Sequence, residues 1–265
     1  MSLSRTLFPP IAAALLFTAP AAAASPTTQA YSWRSSAAPA AETLARSIAP
    51  PPGFERIAVA PESWGAWLRG LPIKAAGAPV LLFTGAAKGR QDVHAAVIDI
   101  DVGTRDLQQC ADAIMRLRAE WQFAAGRPRD IGFNYTDGKR RAFASRRQTD
   151  YAALRKYMNL VFAYAGTYSL ERELKPVPLA ELQIGDVFIK GGFPGHAVLV
   201  ADMAENEATG ERRFLLIQSY MPAQDMHVLK NPAAAGGSPW YPAAFDGDLV
   251  TPEWRFAPQS LRRWP

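Results

Sequence analysis

The sequence predicts an α+β domain in which an antiparallel sheet packs against two main helices. Residues 106–125 and 149–165 carry apolar side chains at helical spacing, whereas residues 186–229 are dominated by short apolar, β-branched runs between turn residues. The chain has 265 residues, of which 49% are hydrophobic and 20% charged, a composition typical of a globular protein. We therefore expect one domain of this class.

Residues 1–24 are typical of a secretory signal peptide. Arg5 supplies the positive start, an apolar run follows, and three alanines precede Ser25 as a cleavage site. A membrane anchor is the alternative, but prolines interrupt the run and it is shorter than a spanning helix. We expect a periplasmic or secreted protein without a stable membrane span after cleavage, with a flexible lead-in over 25–52 and a single domain over 53–265.

The charge pattern and the rare residue types exclude several function classes. Removal of Arg5 lowers the formal net charge from +5 to +4, and the basic residues form no stripe interleaved with aromatic residues, so nucleic acid is not an expected partner. The three histidines lie on separate elements without ligand spacing, so we predict no metal site, and no motif predicts a cofactor. The oligomeric state is left open.

The first elements are a short helix and a hairpin. Residues 63–68 place two tryptophans and a leucine on one helical face, which predicts a core-facing helix. The apolar run Val80–Thr84 and the run His94–Asp101 are separated by a glycine-containing turn, and we expect them to pair as a hairpin.

The next helix carries the chain's one cysteine. Asp106 and Gln109 have the spacing of a capping box, which predicts a helix over 106–125 with Cys110 one turn from its start and on its buried stripe. Arg116 and Glu120 fall mostly off that stripe. A single cysteine forms no internal disulfide, so Cys110 is either a packed apolar residue or a reactive thiol that the helix amides favour as thiolate.

The remaining elements build the sheet. They are a strand near 131–135, a helix at 149–165, a helical turn at 169–174, strands at 186–190, 196–202, 213–220 and 226–229, and a last strand at 253–256. A turn centred near Glu207 would place His196 opposite Gln218 or Ser219. The loop 231–248 carries Trp240 and Tyr241, which either bind substrate or cover a patch of core.

A thiol, an imidazole and an orienting amide are the groups that nucleophilic acyl transfer requires. The thiol attacks as thiolate, one histidine serves as base and then as acid, and a third polar group orients the imidazole. Cys110, His196 and Gln218 are the predicted catalytic residues. His94 replaces His196 if the first hairpin lies closer to Cys110, and His227 is expected at the surface.

Two resemblances add to these observations. The runs Gly185-Asp186-Val187-Phe188 and Gly195-His196-Ala197-Val198 resemble the strand-turn-strand segment of the NlpC-type papain-like peptidases and amidases, which cleave peptide bonds in bacterial cell walls. In that superfamily an Asp-Cys-Ser-Gly-like run surrounds the nucleophile, whereas this chain has Gln109-Cys110-Ala111-Asp112. The resemblance implies a papain-like fold and a bacterial source.

Longer segments resemble a bacterial exported family catalogued only as a domain of unknown function. They are 99–103, 108–113, 116–120 and 218–224. This resemblance implies export and a single domain. The leading hypothesis is an exported papain-like thiol hydrolase acting on a peptide or amide bond of the cell envelope. The alternatives are a non-catalytic envelope protein that binds a glycan or peptide, with Cys110 buried in the core, and a structural partner in an envelope assembly.

Overall fold

A computed structural model describes residues 31–34 and 42–265. The predicted signal peptide lies outside the described residues. Among the helices that are described, none has the length and apolar character needed to span a membrane. Part of the predicted lead-in packs on the domain: Leu44 is fully buried, and the Tyr31 hydroxyl donates to the carbonyl of Trp67. Order in the described chain therefore begins before Gly53.

The described chain contains five α-helices and thirteen strands. The helices are α1 (Leu44–Ser47), α2 (Trp64–Arg69), α3 (Cys110–Ala124), α4 (Tyr151–Tyr164) and α5 (Thr167–Glu173). The strands are β1 (Glu55–Arg56), β2 (His94–Val97), β3 (Gly132–Asn134), β4 (Arg140–Ala142), β5 (Lys175–Pro176), β6 (Val187–Lys190), β7 (His196–Asn206), β8 (Glu211–Gln218), β9 (His227–Leu229), β10 (Trp240–Pro242), β11 (Leu249–Val250), β12 (Arg255–Phe256) and β13 (Leu261–Arg263). The α+β class is confirmed, with three main helices, α3, α4 and α5, rather than two.

Nine strands form one large antiparallel sheet. Its order is β2-β9-β8-β7-β6-β13-β5, with β1 added to β7 and β10 added to β8. Strand β7 is buried over its first nine residues, which suits a central strand covered on both faces. Ala197 and Leu199 belong to the core that contains the helices, whereas Val198 and Val200 belong to a second core with Phe256. The start of β7 thus lies between two packed layers.

The expected hairpin of Val80–Thr84 with His94–Asp101 is wrong. Residues 81 and 82 make only isolated bridges, and β2 pairs with β9 instead. The Gln91 side chain accepts from the Val80 N–H and donates to the Val80 carbonyl, each at 3.0 Å. A side-chain amide therefore occupies the backbone groups that a strand partner would have taken.

Helix α3 begins four residues later than predicted, so Cys110 is its first residue. Gln109 is the N-cap, and its backbone N–H donates to Asp112 Oδ2 at 3.1 Å. Asp106 instead accepts from the backbone N–H of Ala223 at 2.7 Å. The acidic side chain that was expected to cap α3 thus ties the loop before the helix to the segment after β8.

The β7–β8 register differs by two residues from the one that places Gln218 opposite His196. Val200 pairs with Leu216, so regular continuation of the pairing places Val198 opposite Gln218. The turn lies further along the chain than expected, because the Asn206 side chain accepts from the backbone N–H groups of residues 208 and 209, and a bulge follows Val200. His196 and Gln218 remain on one face, as diagonal neighbours.

Candidate functional site

A groove opens beside the first residue of α3, and we call it the Cys110 groove. It has a volume of about 350 Å³ and lies between the start of α3, the start of α5 and the 192–195 turn. Three large side chains line it while remaining exposed to solvent: Phe193 at 90%, Met221 at 57% and Tyr168 at 37%. The groove therefore offers apolar contact surface around a thiol.

Cys110 is 7% exposed, and backbone amides face its sulfur. The N–H groups of Cys110, Ala111 and Ala197 lower its pKa, and the first-turn amides of a helix have no intrahelical partners. Burial raises the pKa more strongly, and the charge of Asp112 adds to this effect, so the pKa is about 12. In the structure as it stands, Cys110 is a neutral thiol: three backbone N–H groups favour its anion, but burial and Asp112 oppose it more strongly.

Asp112 is the second unusual group in the groove. It is 6% exposed, burial raises its pKa well above the usual range, and its Oδ1 atom has no hydrogen-bond partner. Its Oδ2 atom is occupied by the N-cap interaction with Gln109. This carboxyl group keeps the groove less favourable for a thiolate than the helix amides alone would make it.

His196 begins β7 directly after a glycine that no other residue can replace without movement. A Cβ atom on Gly195 would lie 2.3 Å from Thr167 Oγ1 and 2.6 Å from the carbonyl oxygen of Gly192. The Gly-His pair of the motif is therefore a consequence of close backbone packing. The imidazole is 2% exposed and packs against Trp254 and other aromatic rings.

The hydrogen bonds around Gln218 fix its amide orientation. Gln218 Nε2 donates to Glu253 Oε2 at 2.8 Å and lies 3.2 Å from His227 Nε2. His227 Nδ1 lies 2.9 Å from the carbonyl of Asp225, which can only accept, so Nδ1 carries the proton and Nε2 is an acceptor. Both amide hydrogens of Gln218 are thereby used, and its oxygen faces His196.

Matching donors to acceptors in the same way assigns the tautomer of His196. His196 Nε2 lies 2.8 Å from Gln218 Oε1, which can only accept, so Nε2 carries the proton. Its other nitrogen, Nδ1, then has a free lone pair and is a base. Burial lowers the pKa of His196 to about 4, and the charge of Lys88 acts in the same direction. The imidazole is neutral near pH 7.

The structure brings His196 and Gln218 together as predicted, and it places Cys110 next to the residue that follows His196. The Ala197 amide faces the Cys110 sulfur, so α3 places the thiol beside the residue that follows His196, whereas the imidazole packs on Trp254 and Phe256 of the second core. Over residues 31–34 and 42–265, no hydrogen bond joins the two side chains directly. A neutral thiol and a neutral imidazole therefore stand near the same strand end.

Four residues of this site were missed by the sequence. Lys88 Nζ forms an ion pair of 2.7 Å with Glu253 Oε1, and Trp254 packs its ring on His196. His227, which was expected at the surface, is fully buried, because it pairs with Gln218 across β8 and β9. The apolar strand pattern at 226–229 indicates that His227 is buried. Lys88 and Glu253 lie in loops far apart in sequence, and no local pattern indicates that they meet.

Trp240 and Tyr241 lie in the core rather than at the surface. They are 3% and 2% exposed and form β10, and the indole N–H donates to the carbonyl of Ala49. This burial favours coverage of the core over substrate binding for the two side chains. His94 is not near Cys110 in the groove; it lies 6.0 Å from His227, ring centre to ring centre.

Among the residues that the structure describes, no group of three or more His, Cys, Asp or Glu side chains has a geometry that could hold a metal ion. The model of the family described as "Domain of unknown function (4846)" matches residues 44–148 and 142–263, which is most of the chain. No curated protein and no solved structure matches it.

Proposed function

The chain belongs to the family described as "Domain of unknown function (4846)", and we propose that it is an exported papain-like thiol hydrolase that cleaves a peptide or amide bond of the bacterial cell envelope. The observation that carries this proposal is the start of β7. There the Ala197 amide faces the sulfur of Cys110, and the preceding residue is a neutral imidazole with its Nδ1 lone pair free of the Gln218 interaction.

The proposed reaction begins with a neutral thiol and a neutral imidazole, whose side chains must first come into contact because no hydrogen bond joins them in the described residues. His196 Nδ1 takes the proton from Cys110 Sγ as the sulfur attacks the carbonyl carbon of the substrate, and the protonated imidazole then gives this proton to the leaving amine. The oxyanion of the tetrahedral intermediate accepts a hydrogen bond from the backbone N–H of Cys110 at the start of α3. Water, deprotonated by His196, hydrolyses the thioester and releases the acid.

The groove and the predicted export support the substrate class. A rim of exposed apolar side chains, with Phe193 and Met221 on opposite segments, suits the side chains of a short peptide. The signal-like segment 1–24 supports a cell-envelope location, and with it a cell-wall peptide as the substrate. No cofactor is required by the proposed chemistry.

The proposal is tested by incubating the full chain with purified peptidoglycan fragments and measuring newly formed amino groups by mass spectrometry. We expect Cys110→Ala to abolish cleavage and His196→Ala to lower kcat by at least about a hundredfold, the range of general acid–base catalysis. His94→Ala is the matched control and should retain activity. Cleavage that persists in Cys110→Ala, or that depends on His94 and not on His196, would contradict the proposed roles.

The raised pKa of Cys110 favours a second candidate, a non-catalytic envelope protein that binds a peptide or glycan in the same groove. In that case Cys110 is a packed thiol, and iodoacetamide modifies it only after unfolding. Binding of a peptidoglycan fragment without its cleavage, unchanged in Cys110→Ser, would support this candidate over the hydrolase.

A further inference from the structure

A second, larger cavity lies behind the residues that hold Gln218, and we call it the basic cavity. Its volume is about 1010 Å³. Its wall includes Trp254 and Glu253, which contact His196 and Gln218 respectively, whereas Cys110 does not line it. The charged side chains of its lining are Arg90, Asp92, Lys190, Lys230, Glu253 and Arg255.

Both acidic side chains of this lining are already occupied. Asp92 accepts from two nitrogens of Arg90, at 2.7 and 3.3 Å. The two oxygens of Glu253 accept hydrogen bonds from Lys88 Nζ and Gln218 Nε2. Arg90 is also engaged on its remaining side, because its Nη1 atom donates to the carbonyl of residue 252. These groups build the wall and leave little negative charge to attract a cation.

Three cations remain without such engagement. Within the described part of the chain, the side chains of Lys190, Lys230 and Arg255 have neither an ion pair nor a hydrogen bond. Each is held at a fixed strand position: Lys190 ends β6, Lys230 directly follows β9, and Arg255 begins β12. The hydrogen bond from Arg90 lowers the pKa of Asp92, and Lys230 lies close enough to add to this effect. None of the three cations has a hydrogen-bonded counter-ion among the described residues, however, so the cavity suits a ligand of opposite charge.

We propose that the basic cavity binds a polyanionic ligand through phosphate or carboxylate groups. Three cations suit a ligand with two or more negative charges, because Lys and Arg form charge-assisted hydrogen bonds with either group. The cavity volume exceeds that of a single phosphate, so the charged groups belong to a larger molecule. This site does not depend on the activity of Cys110.

The test is calorimetric titration of the full chain at low ionic strength with two probes, pyrophosphate and tricarballylate. The triple variant Lys190→Ala, Lys230→Ala, Arg255→Ala should lose at least about tenfold in affinity, since charge-assisted hydrogen bonds are the strong ones. Tighter binding of pyrophosphate identifies a phosphate ligand, and tighter binding of tricarballylate identifies a carboxylate ligand.

The matched control removes three exposed cations from elsewhere: Arg147→Ala, Lys156→Ala, Lys175→Ala. It lowers the net charge by the same three units, so it reports general electrostatic attraction, and its affinity should change by less than about twofold. Where the triple variant folds poorly, the single variant Lys230→Gln replaces it, because glutamine keeps most of the side-chain stem. This single variant should also weaken binding of the probe. Equal losses in both triple variants, or no saturable binding of either probe, would overturn the proposal.

Discussion

Two clusters of polar side chains, one around Arg116 and one around Gln218, are buried in the protein, and they differ in how burial is compensated. In α3, Arg116 is fully buried and donates to Asp101 Oδ1 at 2.6 Å and to Gln108 Oε1 at 2.7 Å. Glu120, four residues further on, lies 3.4 Å from Arg116 and accepts from the Tyr151 hydroxyl. Opposite charges compensate one another here, so the cluster holds α3 in place, although one oxygen of Glu120 has no hydrogen-bond partner.

The cluster around Gln218 contains neutral imidazoles with assigned protons. His196 and His227 are both buried, and burial lowers their pKa values to about 4 and about 3. Its one ion pair, Lys88 with Glu253, lies behind the amide and not at the imidazoles. The comparison teaches that a cluster of paired charges serves packing, whereas a neutral histidine with one nitrogen left as a base has the features of a reactive site.

The largest effect on stability is expected at the charged cluster. Arg116→Met should lower the free energy of unfolding by about 3–5 kcal/mol, because it leaves Glu120 buried without its cation. Urea denaturation measures this change. Arg155→Met is the control: its partner Asp101 is half exposed, so the loss should stay below about 1 kcal/mol. The double variant Arg116→Met, Glu120→Leu should recover most of the loss, and failure to recover it would mean that Arg116 stabilises the fold through packing and its hydrogen bonds to Asp101 and Gln108 rather than by compensating Glu120.

The histidine cluster should instead make the free energy of unfolding depend on pH in the acid range. A histidine with a lowered folded pKa takes up its proton more readily when unfolded, so its contribution is fully present above pH 6.5 and is lost as pH falls toward 4 for His196 and toward 3 for His227. The fall in the pKa of His196 from 6.5 to about 4 corresponds to about 3 kcal/mol.

His227→Asn isolates this effect, because asparagine retains a donor for the Asp225 carbonyl and does not titrate. Urea denaturation between pH 6.5 and 4 measures the slope of the unfolding free energy against pH. In His227→Asn this slope should decrease by up to the amount that the uptake of about one proton on unfolding contributes. Val228→Ala, on the same strand, should lower stability without changing the slope. An identical slope in wild type and His227→Asn would contradict the assignment of His227 as a neutral buried group.

The sequence predicted the sheet core and the burial of three residues of the site because their signals are local. The alternation in β7 and β8 placed His196 and Gln218 on one face, and helical periodicity placed Cys110 on the buried stripe of α3, although one turn too far into the helix. The register was two residues off, since the hydrogen bonds of Asn206 set the turn and no periodicity reports them.

The missed features depend on contacts between distant residues. The side chain of Gln91 replaced a strand partner at Val80, and the burial of Arg116 depends on Asp101 and Gln108. Hydrophobic patterning treats each of these polar residues as exposed, so it excludes them from the core. Such residues become predictable only once the fold supplies their partners.

The smallest effect is expected at the ion pair behind Gln218, and it tests whether the histidine cluster positions a reactive group. In Lys88→Met, Glu253→Leu the Gln218 amide loses its carboxylate acceptor, so its orientation is no longer fixed. We expect His196 to populate both neutral tautomers, measured by ¹⁵N NMR, and kcat for the proposed hydrolysis to fall by about tenfold to a hundredfold, the range of supporting interactions around reactive groups.

The matched control is Lys88→Met, Glu253→Gln, which removes the same two charges but keeps an oxygen that accepts from Gln218 Nε2. This variant should retain the Nε2-protonated tautomer of His196 and most of the activity, with KM unchanged in both variants. If the two variants share one tautomer and one rate, Glu253 has only a structural role. If the tautomer changes in the leucine variant while no Cys110-dependent cleavage exists in wild type, the positioning argument stands and the proposed hydrolysis does not.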